Sequence, residues 1–159
     1  MEDTYRHKGL RKKLAEEVRS KGIRDEMIIE AINNVPRHLF MESSFVNFAY
    51  KDQAFPIGAG QTISQPYTVA FQTELLDVEK QHKVLEVGTG SGYQAAILLE
   101  LGAKLFTIER QRELFLKAQA LLPKLGYRPH FFYGDGFKGI PAYAPYDRII
   151  VTAGAESVP

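Results

Sequence analysis

Three glycines lie close together in the middle of the chain, at Gly88, Gly90 and Gly92. They follow the mostly apolar residues 84–87 and precede a helical pattern. Glycine allows the backbone to turn tightly and lets a ligand approach the main chain. A helix that begins near Ser91 presents backbone N–H groups without intrahelical partners, and such groups bind a carboxylate or another anionic group. The pattern predicts a ligand-binding loop between a strand and a helix.

The spacing of these glycines separates the loop from a dinucleotide-binding loop. A dinucleotide fold uses the pattern G-x-G-x-x-G, whereas this loop reads G-x-G-x-G and has Tyr93 at the position of the third dinucleotide glycine. The loop therefore favours a different nucleoside ligand. The alternative is that the glycines form only a tight turn.

Two acidic residues follow at spacings that suit a nucleoside. Glu109 comes 21 residues after Gly88, where a carboxylate can accept hydrogen bonds from both ribose hydroxyls and would repel a phosphate. Asp135 lies between two glycines and can accept a hydrogen bond from an exocyclic amine such as that of adenine. Alone, Glu109 could be a surface charge and Asp135 a turn residue. Together with the loop, they predict a nucleoside site at the carboxyl ends of neighbouring strands.

The remaining pattern predicts an α/β fold that positions these residues. Apolar residues at helical spacing predict two short amphipathic helices before Pro36, and a third helix is expected at 66–77, whereas 38–55 shows no sustained period and predicts loops and short turns. Buried strands are predicted at 83–87, 105–108, 130–133 and 148–152, with helical segments between them; the segment after the second strand ends near Gly126. This alternation predicts a parallel sheet of order 3-2-1-4 with right-handed crossovers.

Three segments carry a resemblance to a known family. Residues 84–96, VLEVGTGSGYQAA, resemble the cofactor loop of class I S-adenosylmethionine-dependent methyltransferases, and over their full length that of the protein-L-isoaspartate O-methyltransferases. Residues 50–76 resemble that family's substrate-side signature, with GQTISQP at 60–66 as its most particular part. Residues 146–155, YDRIIVTAGA, also resemble the family. The resemblance implies a doubly wound, Rossmann-like sheet in a single methyltransferase domain over 1–159, with a helical, substrate-side portion at 1–80 and a cofactor-binding portion at 81–159.

The resemblance also implies which residues do the work. The cofactor would be S-adenosyl-L-methionine, with S-adenosyl-L-homocysteine as its product, held by Glu86, Gly88, Thr89, Gly90, Ser91, Gly92, Glu109, Arg110, Asp135 and Gly136. The substrate site would comprise Thr62, Ile63, Ser64 and Gln65, with Ser64 as the catalytic side chain beside the methyl-accepting carboxylate. The alternative for Ser64 is a cap on the helix that begins at Pro66. The implied reaction methylates the carboxyl group of L-isoaspartyl and D-aspartyl residues in damaged proteins and peptides, which initiates their repair.

Composition excludes several other kinds of protein. The net charge is +1, from 20 basic and 19 acidic residues, so we expect no nucleic-acid or membrane partner. The absence of cysteine excludes disulfides, thiolate zinc sites and a cysteine nucleophile, and residues 1–22 contain no apolar run typical of a secretory signal, so we expect a cytoplasmic protein. We also expect a monomer. No metal is expected, and the four histidines, which lack metal-ligand spacing, are interpreted as structural or surface residues: His7, His38, His82 and His130.

Two alternatives to this function stay open at the level of sequence. One is a methyltransferase of the same fold that acts on a small molecule or on RNA, and the other is a nucleoside-binding module without turnover. The predicted strand order leaves the apolar residues 149–151 on an open edge, although such a run suits a strand covered on both faces. Further strands complete the sheet in the family. We therefore expect the chain to be part of a longer protein, with the C-terminal strands of the fold absent.

Overall fold

The computed structural model describes residues 1–154 and 157, and it divides into two compact units, Met1–Asp77 and Val78–Pro159. The first unit contains three helices, α1 at Tyr5–Ser20, α2 at Glu26–Asn34 and α3 at Pro66–Leu76. Side chains of Thr4 and Asp25 accept hydrogen bonds from backbone N–H groups in the first turns of α1 and α2, which fixes where these helices begin. The predicted third helix is confirmed.

The stretch between α2 and α3 contains more order than its sequence predicts. Two 3-10 helices, Arg37–Phe40 and Ser43–Phe48, agree with the expected short turns. A small antiparallel hairpin follows, with β1 at Phe55–Gly58 and β2 at Gln61–Ile63. The sequence did not predict this hairpin, because Pro56 and Gly58 in β1 and the polar residues of β2 leave neither an apolar run nor an alternating pattern.

The second unit is built on a parallel sheet of four strands. Its order is β5-β4-β3-β6, which confirms the order predicted from the sequence. The strands are β3 at Lys83–Val87, β4 at Lys104–Glu109, β5 at His130–Tyr133 and β6 at Arg148–Val151. Two helices connect the first three strands, α4 at Tyr93–Glu100 and α5 at Arg112–Lys124.

The connection between β5 and β6 corrects one expectation. A helical segment was predicted there, but the described chain has only two 3-10 helices of three residues each, Gly136–Lys138 and Pro141–Tyr143. Three glycines and a proline within residues 134–141 prevent a longer helix, since glycine costs backbone entropy and proline removes an N–H donor.

Strand β6 lies at one edge of the described sheet. Its Ile150 is buried, whereas 56% of the neighbouring Ile149 is exposed. Ile149 borders an apolar groove of about 660 Å³ that Leu85, Ile140 and Tyr146 also line. The open edge predicted for this strand is therefore present in the described part of the sheet. None of the described helices has the length and apolar content that crossing a membrane requires.

Candidate functional site

The glycine loop joins β3 to α4 through a backbone that other residues adopt only with strain. Gly88, Gly90 and Gly92 have φ angles of +100°, +54° and +87°. A Cβ atom on Gly88 would lie 2.9 Å from the Cβ of Ala153, and one on Gly92 would lie 3.1 Å from Cδ1 of Leu122. The loop therefore requires glycine at its first and third positions both for its turn and for its packing.

A fully buried carboxyl group lies at the base of this loop. Glu86 on β3 has no exposed surface, and burial raises the pKa of its side chain to about 8. Thr107 on β4 donates a hydrogen bond of 2.7 Å to its Oε1 atom, which lowers the pKa, while the charge of Glu109 raises it. Within the described part of the chain, Oε2 of Glu86 has no hydrogen-bond partner. A buried acceptor of this kind calls for a donor from a ligand or from water.

Glu109 at the end of β4 holds the loop in place. Only 6% of Glu109 is exposed, and its carboxylate oxygens accept hydrogen bonds of 2.9 Å from the N–H of Gly90 and 2.8 Å from that of Gln111. A carboxylate oxygen can accept two hydrogen bonds. Glu109 therefore keeps the capacity to accept donors from a ligand while it fixes the glycine loop.

The other predicted cofactor residues fall into two groups. On the glycine loop, Thr89 is buried and its hydroxyl lies 2.5 Å from that of Thr107. The hydroxyl of Ser91 accepts a hydrogen bond of 3.2 Å from the N–H of Tyr93. Arg110, which follows β4, is exposed. On the loop after β5, Asp135 is exposed and accepts the N–H of Phe137 over 3.0 Å, so its carboxylate also shapes its own turn.

Gly136 has a packing role that the sequence did not reveal. A Cβ atom at this position would lie 2.5 Å from Cγ1 of Val87 and 3.0 Å from Cγ2 of Ile108. Glycine therefore allows the loop after β5 to lie directly against β3 and β4. This contact brings the loop that carries Asp135 close to the carboxyl ends of β3, which leads into the glycine loop, and of β4, which ends at Glu109.

Sequence reasoning missed two threonines that support the loop. Thr107 links Thr89 to Glu86 from the neighbouring strand. Thr152 follows β6 and donates a hydrogen bond of 2.7 Å to the carbonyl oxygen of Gly88. The available signal was position, because both residues lie at or near the carboxyl ends of strands that flank β3.

The predicted substrate residues lie in the first unit, on β2 and before α3. Thr62 is exposed, Ile63 is buried in the core of that unit, and Ser64 and Gln65 are half-buried. The N-cap of α3 is Gln65 rather than Ser64, and neither of these two side chains makes a capping hydrogen bond, so the interpretation of Ser64 as a helix cap is wrong. The Ser64 hydroxyl makes no hydrogen bond to the described part of the chain.

Two further residues that the sequence did not single out fix this segment. Arg37, 1% exposed, donates hydrogen bonds to the carbonyl oxygens of Gln53 at 3.1 Å and of Ser64 at 2.9 Å. Asp52 accepts the backbone N–H of Tyr67 at 2.8 Å in the first turn of α3 and also pairs with Lys21. Burial raises the pKa of Asp52, but the bonds from Lys21, Tyr67 and the side chain of Gln65 outweigh burial and lower it overall.

The profile of a protein family matches nearly the whole chain. The family described as Protein-L-isoaspartate(D-aspartate) O-methyltransferase (PCMT) matches residues 9–159. The chain belongs to this family. Proteins named protein-L-isoaspartate O-methyltransferase from Christiangramia forsetii and Flavobacterium johnsoniae are 66% and 61% identical to it over 160 residues. The alignments cover all of this chain and 75% of each relative.

One solved structure supports the same family, and a second supports the fold. A structure named protein-L-isoaspartate O-methyltransferase is 32% identical, with a TM-score of 0.85, over 94% of this chain and 50% of that chain. The chain thus spans half the length of that structure. A putative protein-L-isoaspartate O-methyltransferase from Plasmodium falciparum, solved with S-adenosyl-L-homocysteine, superposes with a TM-score of 0.77 over 94% of this chain and 76% of that one, at 22% identity. The predicted Rossmann-like methyltransferase fold is confirmed.

The histidines of this family member include one close cluster near the N-terminus. His7 and His38 stack with 3.7 Å between ring centroids, and ligand atoms of both lie within 4.8 Å of the Asp3 carboxylate. Both Asp3 oxygens accept hydrogen bonds from Arg11, and the two ring nitrogens of His38 contact Tyr50 and a backbone carbonyl oxygen. These contacts fit the interpretation of the two histidines as structural residues. That no metal takes part stays a prediction.

Proposed function

We propose that this chain transfers a methyl group from S-adenosyl-L-methionine to the carboxyl group of L-isoaspartyl and D-aspartyl residues in damaged proteins, which starts their repair. The observation that carries the proposal is the glycine loop in the second unit, whose φ angles require glycine and which Glu86 and Glu109 flank with buried carboxyl groups. The names of the relatives support the substrate class.

The carboxyl groups at this site suit the donors that the cofactor offers. Its ammonium group, ribose hydroxyls and adenine amine all donate hydrogen bonds, and the proposed acceptors are Glu86, Glu109 and Asp135. The unpartnered Oε2 of Glu86 and the remaining lone pairs of Glu109 provide acceptor capacity for them. The carboxylates of Glu109 and Asp135 would repel a phosphate, which disfavours a nucleotide. When bound, the cofactor supplies an activated methyl group on a cationic sulfonium.

The acceptor needs little chemical activation from the protein. A carboxyl group with an unperturbed pKa of about 3.9 is ionised at neutral pH, so no general base is required. Holding the acceptor oxygen in the right place can supply roughly 7–11 kcal/mol of the barrier reduction. We assign this orienting role to Ser64, because its hydroxyl has no partner in the described part of the chain and Arg37 fixes its backbone carbonyl.

The partners follow from the reaction and from the charge of the chain. Isoaspartyl-containing proteins and peptides are the substrates of a protein-L-isoaspartate methyltransferase. A net charge of +1 offers no general attraction for nucleic acid. A monomeric state and a cytoplasmic location stay predictions, as does the assignment of residues 1–80 and 81–159 to two portions of one methyltransferase domain.

Two variants separate the proposed roles within this function. Ser64→Ala should lower the rate of methyl transfer to an isoaspartyl peptide about tenfold or more while S-adenosyl-L-homocysteine affinity stays within about twofold, because one orienting hydrogen bond is lost. Glu109→Ala should instead weaken S-adenosyl-L-homocysteine binding about 10- to 100-fold, the loss typical of hydrogen bonds to a charged group.

Calorimetric titration and single-turnover assays on both variants measure the two effects. Ser64→Thr is the matched control, because it retains the hydroxyl and should retain most of the rate. An inverted pattern, in which Ser64→Ala loses cofactor affinity and Glu109→Ala loses only rate, would contradict the proposed assignment.

A further inference from the structure

Three buried side chains form one hydrogen-bonded chain beneath the glycine loop. The hydroxyl of Thr107 lies 2.5 Å from that of Thr89 and 2.7 Å from Oε1 of Glu86. Glu86 and Thr107 have no exposed surface, and 4% of Thr89 is exposed. This hydrogen-bonded chain therefore connects the glycine loop, through Thr89, to the carboxyl group of Glu86 at its base.

The number of protons fixes the direction of these bonds. A threonine hydroxyl has one hydrogen, and that of Thr107 is donated to Glu86. The contact between the two hydroxyls must then use the hydrogen of Thr89, which donates to Thr107. All the donors point towards Glu86. The hydrogen-bonded chain therefore stabilises the ionised form of Glu86 and opposes the rise in pKa that burial causes.

We propose that Thr107 is a positioning residue for the cofactor: its hydroxyl orients the Glu86 carboxylate and holds Thr89 in the glycine loop, so that both are set for the cationic ammonium group of the ligand. The inference rests on the proposed function, because it takes the cofactor to bind at this loop. The unpartnered Oε2 of Glu86 is the atom left to meet that group. A positive charge beside a buried carboxylate stabilises its ionised form further.

The surroundings of Glu86 make the effect measurable through pH. Among the described groups, Glu109 is the one other charge that perturbs Glu86, and it opposes ionisation. On the other side of β3, the residue in register with Glu86 is the apolar Ile150. Removing the Thr107 hydroxyl therefore removes the one contact that favours the Glu86 carboxylate, and binding of a cationic group should then require a higher pH.

The test is calorimetric titration of S-adenosyl-L-homocysteine between pH 6 and pH 9 into the unaltered chain, Thr107→Val and Thr107→Ser. Thr107→Val keeps the side-chain shape, and we expect it to weaken binding about tenfold at neutral pH. The pH of half-maximal affinity should rise by about one unit, which is the same tenfold effect expressed as pH. Thr107→Ser should restore affinity to within about threefold of the unaltered chain.

Thr73→Val is the matched control. It removes another buried threonine hydroxyl, which donates to Val69 within α3, and should leave both the affinity and its pH profile unchanged. Unchanged affinity and pH profile in Thr107→Val, or failure of Thr107→Ser to rescue, would overturn the proposal. If Thr107→Val does not fold, Thr89→Ala takes its place, because it removes the hydroxyl at the other end of the hydrogen-bonded chain. Thr89→Ala must then weaken binding, or the proposal fails.

A second readout separates this inference from the proposed function. Without ligand, the midpoint at which the folded chain takes up a proton on Glu86 should move to higher pH in Thr107→Val, as seen in the pH dependence of its unfolding free energy. If that shift is present but the unaltered protein does not bind S-adenosyl-L-homocysteine, Thr107 does stabilise the Glu86 carboxylate and the proposed function is wrong. If the shift is absent although the unaltered chain binds the ligand, the positioning role is wrong.

Discussion

Replacing Glu86 with glutamine should remove most of the pH dependence of stability between pH 5 and pH 8. The side chain is completely buried on β3, and burial raises its pKa from 4.5 to about 8. Glutamine has nearly the same shape and its amide oxygen can still accept the Thr107 hydrogen bond. The substitution therefore removes the titrating proton while it leaves the packing in place.

The expected magnitude follows from the two pKa values. Between pH 4.5 and about 8 the unfolded chain has lost this proton while the folded chain retains it, so the free energy of unfolding falls as the pH rises. The full difference corresponds to about 5 kcal/mol, at about 1.4 kcal/mol for each pH unit. About 3–4 kcal/mol of this loss falls between pH 5 and pH 8.

Urea unfolding at pH 5, 6, 7 and 8 measures this loss directly. The free energy of unfolding of Glu86→Gln, minus that of the unaltered chain, should increase by about 3–4 kcal/mol across the series. The exposed Glu30 provides the control, and Glu30→Gln should follow the unaltered chain at every pH. If the free energy of unfolding of Glu86→Gln has the same pH dependence as that of the unaltered chain, Glu86 does not titrate in this range, which would contradict its raised pKa.

Three other expectations concern packing and charge. Arg37→Met should lower the free energy of unfolding by about 3 kcal/mol or more in urea titrations, because three backbone carbonyl oxygens lose a buried donor; a loss below about 1 kcal/mol would show that these bonds contribute little. NMR titration should give His38 a pKa below 6.5, because burial disfavours its charged form. As the pH falls through 6.5 the unfolded chain then takes up more protons than the folded chain, and stability falls; a pKa above 6.5 would contradict this. Gly136→Ala should destabilise the second unit by roughly 1–3 kcal/mol, because its methyl group meets Val87. Gly9→Ala in α1, where the added Cβ meets nothing within 4 Å, should instead stabilise by up to about 1 kcal/mol. Thermal unfolding that ranks the two variants the other way would contradict the packing argument.

Much of the fold could be predicted because its helices and sheet strands have recognisable apolar patterns. Each sheet strand is a short apolar run that ends in glycine or polar residues, and α5 carries a stripe that includes Leu114, Ala118 and Leu122, all buried. The hairpin of β1 and β2 has no such pattern, because a proline and a glycine interrupt β1 and polar residues make up most of β2. The connection after β5 was predicted as helical from alternation alone, and its glycines and proline prevented that.

The candidate site could be predicted only in part, for a related reason. Glycines and acidic residues at the ends of strands have a recognisable spacing, so Gly88 and Glu109 stand out in the sequence. Thr107 and Arg37 do not, because their roles depend on contacts between distant segments. A threonine within a strand and an arginine after a helix are common in proteins, and only the fold reveals that these two are buried and bonded to functional segments.

The most direct test of the proposed function uses two synthetic peptides that differ only in one residue, L-aspartate or L-isoaspartate. The chain is incubated with methyl-labelled S-adenosyl-L-methionine and each peptide, and base-labile methyl ester is counted. We expect labelling of the isoaspartyl peptide to be at least tenfold above that of the aspartyl peptide, and to be lost in Ser64→Ala. Equal labelling of both peptides would contradict the proposed function.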